Sequence, residues 1–156
     1  MADRSTAPAR SPAETEPLRL PPALRGQLER WASEGHPHEV CGLLVGRRNG
    51  TATSVARITR GRNLALERLR DRYTLDPEHF LAVDSVARRE GLEVVGAWHT
   101  HPDHPARPST TDRERAWESF SYLILSVTRS GVEDATAWRL AGGVFLEQPI
   151  VTEETS

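Results

Sequence analysis

The sequence has a single cysteine and no lysine. One cysteine, Cys41, excludes an intramolecular disulfide and any zinc ribbon built from several cysteines. A metal held by this chain must therefore use nitrogen and oxygen ligands. All 20 basic residues are arginine, which excludes mechanisms that need a lysine base or a Schiff base. The chain also has no side-chain amine of its own to carry an isopeptide bond.

Long apolar runs and a strong charge of either sign are lacking as well. With 37% apolar residues and a net charge of -2, the sequence predicts no membrane span and no binding of nucleic acid. Residues 1–16 are polar and lack the apolar stretch of a secretory signal, so we expect a disordered leader on a cytoplasmic protein. The 156 residues fit one domain, predicted to span residues 17–148 and to be followed by a flexible tail, residues 149–156.

Apolar periodicity predicts a mixture of helices and strands. Helices are predicted from Pro21 to Gly35, from Asp76 to Gly91, and from Ser109 to about Ser119. Strands are predicted at residues 18–20, 40–46, 51–58, 92–101, 122–128, 135–140 and 143–146, with Asn49-Gly50 as a hairpin turn. Because hairpins replace strict βαβ units, we expect an α+β or α/β sandwich. Residues 59–72 are rich in arginine and form an exposed excursion that can dock a partner or remain a solvated loop.

One short segment concentrates side chains that bind metals. On a strand, side chains alternate, so His99 and His101 point the same way and can reach one ion at roughly 2.0–2.1 Å. Asp112 follows after a proline-rich loop, a separation that allows its carboxylate to return as a third ligand. Three protein ligands leave the fourth tetrahedral position to water, which is typical of catalytic zinc.

Two further residues fit hydrolysis beside such a metal. Glu39 precedes an apolar strand and is the candidate general acid and base, because a metal lowers the pKa of water to about 7 and a carboxylate then suffices as proton acceptor. The alternative interpretation is that Glu39 is only a solvated residue before a strand. Ser109 can donate a hydrogen bond to an oxyanion, and it can also cap the helix that contains Asp112.

These residues resemble the signature of the JAMM (JAB1/MPN+) metallopeptidase family. That signature is a glutamate before a Cys-Gly-Leu-Leu strand, then His-Ser/Thr-His-Pro, a short loop and Pro-Ser-x-x-Asp. Segments 39–46 and 99–112 contain every element in that order. Asn63 and the helix start at Leu75-Asp76-Pro77 are similar to the bacterial branch of the family. The likeness extends over residues 18–145, with Trp98 and Thr100 where many relatives have tyrosine and serine.

The resemblance implies one zinc ion per chain, bound by His99, His101 and Asp112, with Glu39 as general acid/base and Ser109 stabilising the oxyanion. It also implies a curved, mostly antiparallel central sheet flanked by helices, with layering like that of cytidine deaminases. The bacterial relatives act on small ubiquitin-like sulfur-carrier proteins that end in Gly-Gly, either trimming the tail or releasing an attached amino acid such as cysteine. We therefore expect a peptidase or isopeptidase of this type, monomeric or homodimeric, with such a carrier as its partner.

Alternatives stay open at several points. A peptidase or amidase for short peptides would keep the metal without the carrier, and a non-catalytic MPN scaffold would only bind partners. Cys41 is interpreted as a small core residue rather than a nucleophile, because it lies in an apolar run. His36 and His38 are expected to be exposed, and His104 can contact substrate or solvent. The residues expected in the core at helical spacing are Trp31, Val83 and Trp117.

Overall fold

The computed structural model describes residues 16–61 and 77–152. Residues 1–15 of the predicted leader and residues 62–72 of the arginine-rich excursion lie outside these ranges. The elements in chain order are β1 (Leu18–Arg19), α1 (Pro22–Gly35), β2 (Cys41–Asn49), β3 (Ala52–Ile58), α2 (Pro77–Arg89), β4 (Glu93–Pro102), α3 (Thr110–Arg115), β5 (Ser121–Thr128), β6 (Gly131–Ala141), β7 (Val144–Gln148) and β8 (Ile150–Val151). In the part of the chain described, no helix is long and apolar enough to cross a lipid bilayer.

The strands form one curved sheet in the order β7-β6-β5-β4-β2-β3-β1-β8. β2 is antiparallel to both of its neighbours, β3 and β4, and β6 is antiparallel to β5 and β7. β4 and β5 are parallel, as is β1 with β3 and β8. The two ends of this order, β7 and β8, are joined by Pro149 alone, so the sheet curves until it is nearly closed. The predicted fold, a curved and mostly antiparallel sheet flanked by helices, is confirmed.

Helices cover both faces of the sheet. α1 covers one face, where its buried Leu28 packs in an apolar cluster with Trp98. α2 covers the other face, over a second cluster that contains Ala97. Since successive side chains of a strand alternate between faces, His99 and His101 follow Ala97 on the side covered by α2. This side is called the α2 face below.

The segment after α3 differs from its prediction. α3 ends at Arg115 instead of continuing to about residue 119. The chain turns there, with Ser119 at a φ of 72°, so that the N–H of Ser119 donates to the carbonyl of Leu140 at 2.8 Å. Trp117 lies in this turn and is 54% exposed, so its assignment to the core is wrong. The other two predicted core residues, Trp31 and Val83, are partly buried against the apolar clusters.

The C-terminal segment also differs. Ile150–Val151, which the sequence analysis placed in a flexible tail, form β8 and pair in parallel with β1. The N–H of Leu18 donates to the carbonyl of Pro149 at 2.9 Å, and the N–H of Leu20 donates to that of Val151 at 2.8 Å. A strand of two residues is too short to show alternating hydrophobicity, which is why the sequence did not predict it.

Candidate active site

The two histidines and Asp112 converge at the end of β4, on the α2 face. Nε2 of His99 lies 3.1 Å from Oδ1 of Asp112, and Nε2 of His101 lies 3.1 Å from Oδ2 of the same carboxylate. The two Nε2 atoms are 3.2 Å apart. Within the described ranges, this is the one group of three metal-ligating side chains whose donor atoms all lie within 4.8 Å of one another.

The start of α3 positions Asp112. Ser109 is the N-cap residue, and the N–H of Asp112 donates to its Oγ at 3.0 Å. In return the N–H of Ser109 donates to Oδ2 of Asp112 at 2.9 Å. This reciprocal capping box fixes the carboxylate at the first turn of the helix. The three-residue spacing of Ser109 and Asp112 therefore both caps α3 and holds Asp112 beside the two histidines.

A backbone carbonyl orients His101. Nδ1 of His101 lies 2.8 Å from the carbonyl oxygen of Pro105, and a carbonyl only accepts hydrogen bonds. Nδ1 therefore carries a proton, so Nε2 is the ring nitrogen that faces His99 and Asp112 and that a bound metal would use. The sequence analysis missed this contact, because a main-chain acceptor in an irregular loop leaves no signal in residue identity.

The surroundings set the charge state of the group. Burial lowers the pKa of His99, which is 1% exposed. Burial also opposes protonation of His101, but its hydrogen bonds to Asp112 and Pro105, with the charges of Asp112 and Glu39, raise its pKa. For Asp112, burial disfavours the charged form, and the hydrogen bonds from both histidines outweigh that effect and hold its pKa well below the usual range. Asp112 is therefore a carboxylate ready to bind a cation.

Pairing between β2 and β4 brings Glu39 to the same place. The strands are antiparallel, and their pairing continues to Val40, whose carbonyl accepts from the N–H of Thr100 at 2.9 Å. The N–H of Val40 donates to Oγ1 of Thr100 at 2.9 Å. One residue further along this register, Glu39 lies opposite His101 and contributes to the raised pKa of that histidine. Glu39 is 8% exposed, so the alternative of a solvated residue is wrong.

The donor atoms lie close enough together to share one metal ion. Ligands about 2.0–2.1 Å from one tetrahedral ion lie about 3.3 Å from each other. The two imidazole nitrogens are 3.2 Å apart, and each lies 3.1 Å from a different oxygen of the Asp112 carboxylate. With one donor atom taken from each residue, all three lie within 4.8 Å of one another. His99, His101 and Asp112 therefore fit a metal ion that keeps one coordination position open.

The other candidate residues lie around this group. Cys41 is fully buried, and burial together with the charge of Glu39 raises its pKa to about 12, which confirms a core thiol rather than a nucleophile. His36 was expected to be exposed, but its side chain is only 12% exposed and its Nε2 lies 3.0 Å from Oδ1 of Asp103 in the loop after β4. His38 and His104 are exposed.

Comparison with known proteins identifies related sequences. A family model described as prokaryotic homologs of the JAB domain matches residues 21–141. A desampylase from Haloferax volcanii is 36% identical over 118 residues, which cover 75% of this chain and 80% of that protein. A desampylase from Pyrococcus furiosus is 39% identical over 104 residues, covering 66% of this chain and 67% of that protein.

Solved structures show the same fold. A solution structure of a protein from Desulfitobacterium hafniense has a TM-score of 0.77 and 29% identity, covering 88% of this chain and 94% of that chain. A solution structure of a protein from Salinibacter ruber has a TM-score of 0.67 and 36% identity, covering 88% and 93%. With the family match spanning most of the domain and the complete motif gathered at one site, this chain belongs to the prokaryotic JAB-domain family of JAMM-type hydrolases.

Proposed function

We propose that this protein is a zinc-dependent hydrolase that cleaves an amide bond at the C-terminal Gly-Gly tail of a small ubiquitin-like sulfur-carrier protein. The reaction trims the tail or releases an attached amino acid such as cysteine. The observation that carries the proposal is the convergence of the donor atoms of His99, His101 and Asp112 at 3.1–3.2 Å. The name of the two curated relatives supports the substrate class, because a desampylase removes a ubiquitin-like protein.

The donor set favours zinc as the metal. Two imidazole nitrogens with one carboxylate oxygen suit zinc, and a set of three protein ligands is typical of catalytic sites. When bound, zinc supplies Lewis acidity that polarises a carbonyl and lowers the pKa of water to about 7. Two of the three metal-ligating side chains are oriented by other parts of the chain: the carbonyl of Pro105 orients His101, and the capping box orients Asp112.

We assign the role of general acid and base to Glu39. Continued past Val40, the β2–β4 register sets this residue opposite His101. From there it accepts the proton of the attacking water and returns it to the nitrogen of the leaving amine, so that the amide C–N bond breaks as a new C–O bond forms.

Limited access to the site favours a thin substrate segment. The side chains of His99, His101 and Asp112 are 1%, 13% and 9% exposed. Such buried donor atoms are more easily reached by a peptide segment without bulky side chains. A Gly-Gly tail has no side chains and can enter extended, which is why we assign the scissile bond to such a tail.

The direct experiment incubates the zinc-loaded protein with Gly-Gly-ending carriers from the same organism, bearing tail extensions or an attached cysteine. Mass spectrometry is expected to show loss of the extension, and bound zinc is expected at about one ion per chain. No turnover across a panel of these carriers would refute the assigned specificity. Cleavage of short peptides alone would instead favour the peptidase alternative.

Variants separate the roles of the residues. Glu39→Gln is expected to retain zinc and lose turnover by about 10²-fold or more, because the amide cannot accept the proton. His99→Ala with His101→Ala is expected to lose the metal itself. Surviving activity in Glu39→Gln would mean that another group is the base.

Ser109 is proposed to stabilise the oxyanion as well as to cap α3. Its Oγ accepts from the N–H of Asp112, which leaves the hydroxyl hydrogen available to donate. Ser109→Gly removes the hydroxyl and leaves no side-chain donor, while glycine is tolerated at an N-cap and keeps the N–H that donates to Asp112. For this variant kcat is expected to fall by about 10²-fold. Ser109→Thr keeps the cap and the hydroxyl and is the matched control. Full activity in Ser109→Gly would mean that Ser109 only caps the helix.

A further inference from the structure

A second concave site lies beside the metal-ligating group. It is a cavity of about 460 Å³ between α3 with its preceding loop and the β6–β7 hairpin. One wall carries Arg107, Pro108 and Arg113, and the opposite wall carries Trp138, Val144 and Phe145. Pro108 belongs to the Pro-Ser-x-x-Asp motif, but the proposed chemistry uses none of these residues, and the motif does not include the other five.

Sheet register places this cavity on the α2 face. Trp138 of β6 pairs with Tyr122 of β5, and Tyr122 pairs with Ala97 of β4. Directly paired residues point to the same face of a sheet, and Ala97 shares its face with His99 and His101. The other wall begins next to Asp112, at Arg113. The cavity and the metal-ligating group therefore flank α3 on one surface of the molecule, where a protein substrate can cover both.

The cavity combines apolar surface with positive charge. Val144 is 58% exposed, and Arg107 and Arg113 are exposed at the opposite wall. In the described part of the chain, the ion pairs made by arginines involve Arg25, Arg57, Arg60 and Arg88, so neither cavity arginine is neutralised by a carboxylate. In a chain with a net charge of -2, this is a local positive site.

Such a site suits an acidic ligand with an apolar centre. Guanidinium groups bind carboxylates through paired N–H donors, and an aromatic and aliphatic wall buries an apolar side chain. Electrostatic attraction of this kind chiefly speeds encounter and fixes orientation. We propose that this cavity docks the folded body of the carrier protein, through carboxylates that flank an apolar side chain on its surface. The docking proposal rests on the proposed function, because it takes the carrier as substrate.

The test compares two substrates of the zinc-loaded protein. One is a Gly-Gly-ending carrier whose C-terminal carboxyl group is joined to a fluorogenic amine, and the other is a peptide of the carrier's final residues joined to the same amine. Arg107→Glu with Arg113→Glu is expected to raise KM for the whole carrier about tenfold or more and to leave kcat and the tail peptide unaffected. Raised salt is expected to increase KM for the wild-type protein and not for this variant.

Two further variants keep the test decisive. Val144→Asp introduces a negative charge at a largely exposed position on the opposite wall and is expected to raise KM for the carrier even if the arginine variant fails to fold. Arg129→Glu, an exposed reversal in the turn between β5 and β6, is the matched control and is expected to leave KM unchanged. Unchanged KM in both cavity variants, or an equal rise in the control, overturns the docking proposal alone. No turnover of either substrate by the wild-type protein overturns the proposed function and the docking proposal with it.

Discussion

Cys41 shows how a residue next to a reactive centre is kept unreactive. It lies opposite His99 in the β2–β4 pairing, close enough for the charge of Glu39 to affect its thiol. Burial first, and that charge second, raise its pKa from 9.0 to about 12. A thiolate would be an unpaired anion beside a carboxylate, so the thiol stays protonated and packs as a small apolar group.

This raised pKa predicts a loss of stability in alkali. Between about pH 9 and pH 12 the unfolded chain loses the thiol proton while the folded chain retains it, so rising pH favours unfolding. The free energy of unfolding should fall by about 1.4 kcal/mol per pH unit from this group. Urea unfolding at pH 8 and pH 10 measures the change, and Cys41→Ala is expected to show a smaller fall. Equal falls in both proteins would contradict a buried neutral thiol.

Residue types at motif spacing could be predicted from the sequence, but their environments could not. The resemblance of Glu39, His99, His101 and Asp112 to the JAMM signature placed them in one site, whereas strand alternation by itself predicted only that the two histidines share a face. Burial of His36 against Asp103 was missed, because the pair joins loops far apart in the chain. The role of Pro105 was missed because only its main chain takes part.

The central strands carry the site, and close backbone packing holds them. At Gly96 of β4, an added Cβ would lie 1.9 Å from the carbonyl oxygen of Ser121 on β5. That oxygen belongs to the backbone, so it cannot rotate away. The parallel pair β4–β5 that presents His99 and His101 therefore requires glycine at this position.

Gly96→Ala is accordingly predicted to cost about 3 kcal/mol or more, through separation of β4 from β5. Gly26→Ala is the matched control, because Gly26 lies in α1 with its nearest neighbour, Arg30, 3.7 Å from the added Cβ. That helical substitution should instead stabilise by about 0.5–1 kcal/mol. Thermal and urea unfolding of both variants measure the contrast. A Gly96→Ala protein as stable as the wild type would show that β4 and β5 can separate without cost.

Element boundaries were predicted well where apolar periodicity is long and poorly where it is short. α1, α2, β2 and β4 lie close to their predicted ranges. Each of the two helices buries one face over several turns, and each of the two strands contains a long apolar run that is buried on both faces. α3 is shorter than predicted: the backbone becomes extended at Ala116, and beyond it Glu118 accepts from the N–H of Gly142 in the β6–β7 turn at 2.5 Å. Such tertiary contacts outweigh local helix propensity.

At the scale of the whole molecule, the two ends of the sheet are tied by buried polar contacts. Gln148 at the end of β7 is 1% exposed and accepts from Oγ of Ser121 at 2.8 Å. Its amide donates to the carbonyl of Glu16 at 3.1 Å, just before β1. Oγ1 of Thr53, in β3, extends this series of hydrogen bonds, since it lies 2.8 Å from Oγ of Ser121. Strands β7, β5 and β3 and the segment before β1 thus share one hydrogen-bond network, which a half-open sheet would leave unpaired.

The same closure makes residues 149–152 part of the fold, and truncation tests this. A chain ending at residue 148 loses β8, which removes the acceptors of the Leu18 and Leu20 N–H groups and uncovers the core where Ile150 packs. Two hydrogen bonds at about 1 kcal/mol each and one partly buried side chain predict that the free energy of unfolding falls by about 3 kcal/mol.

The reference is a chain ending at residue 152, so that both proteins lack residues 153–156. Because β1 and β8 lie three or more strands from β4 in the sheet order, zinc binding by the folded truncated chain is expected to stay the same. Equal urea midpoints for the two chains would instead support the flexible tail that the sequence predicted.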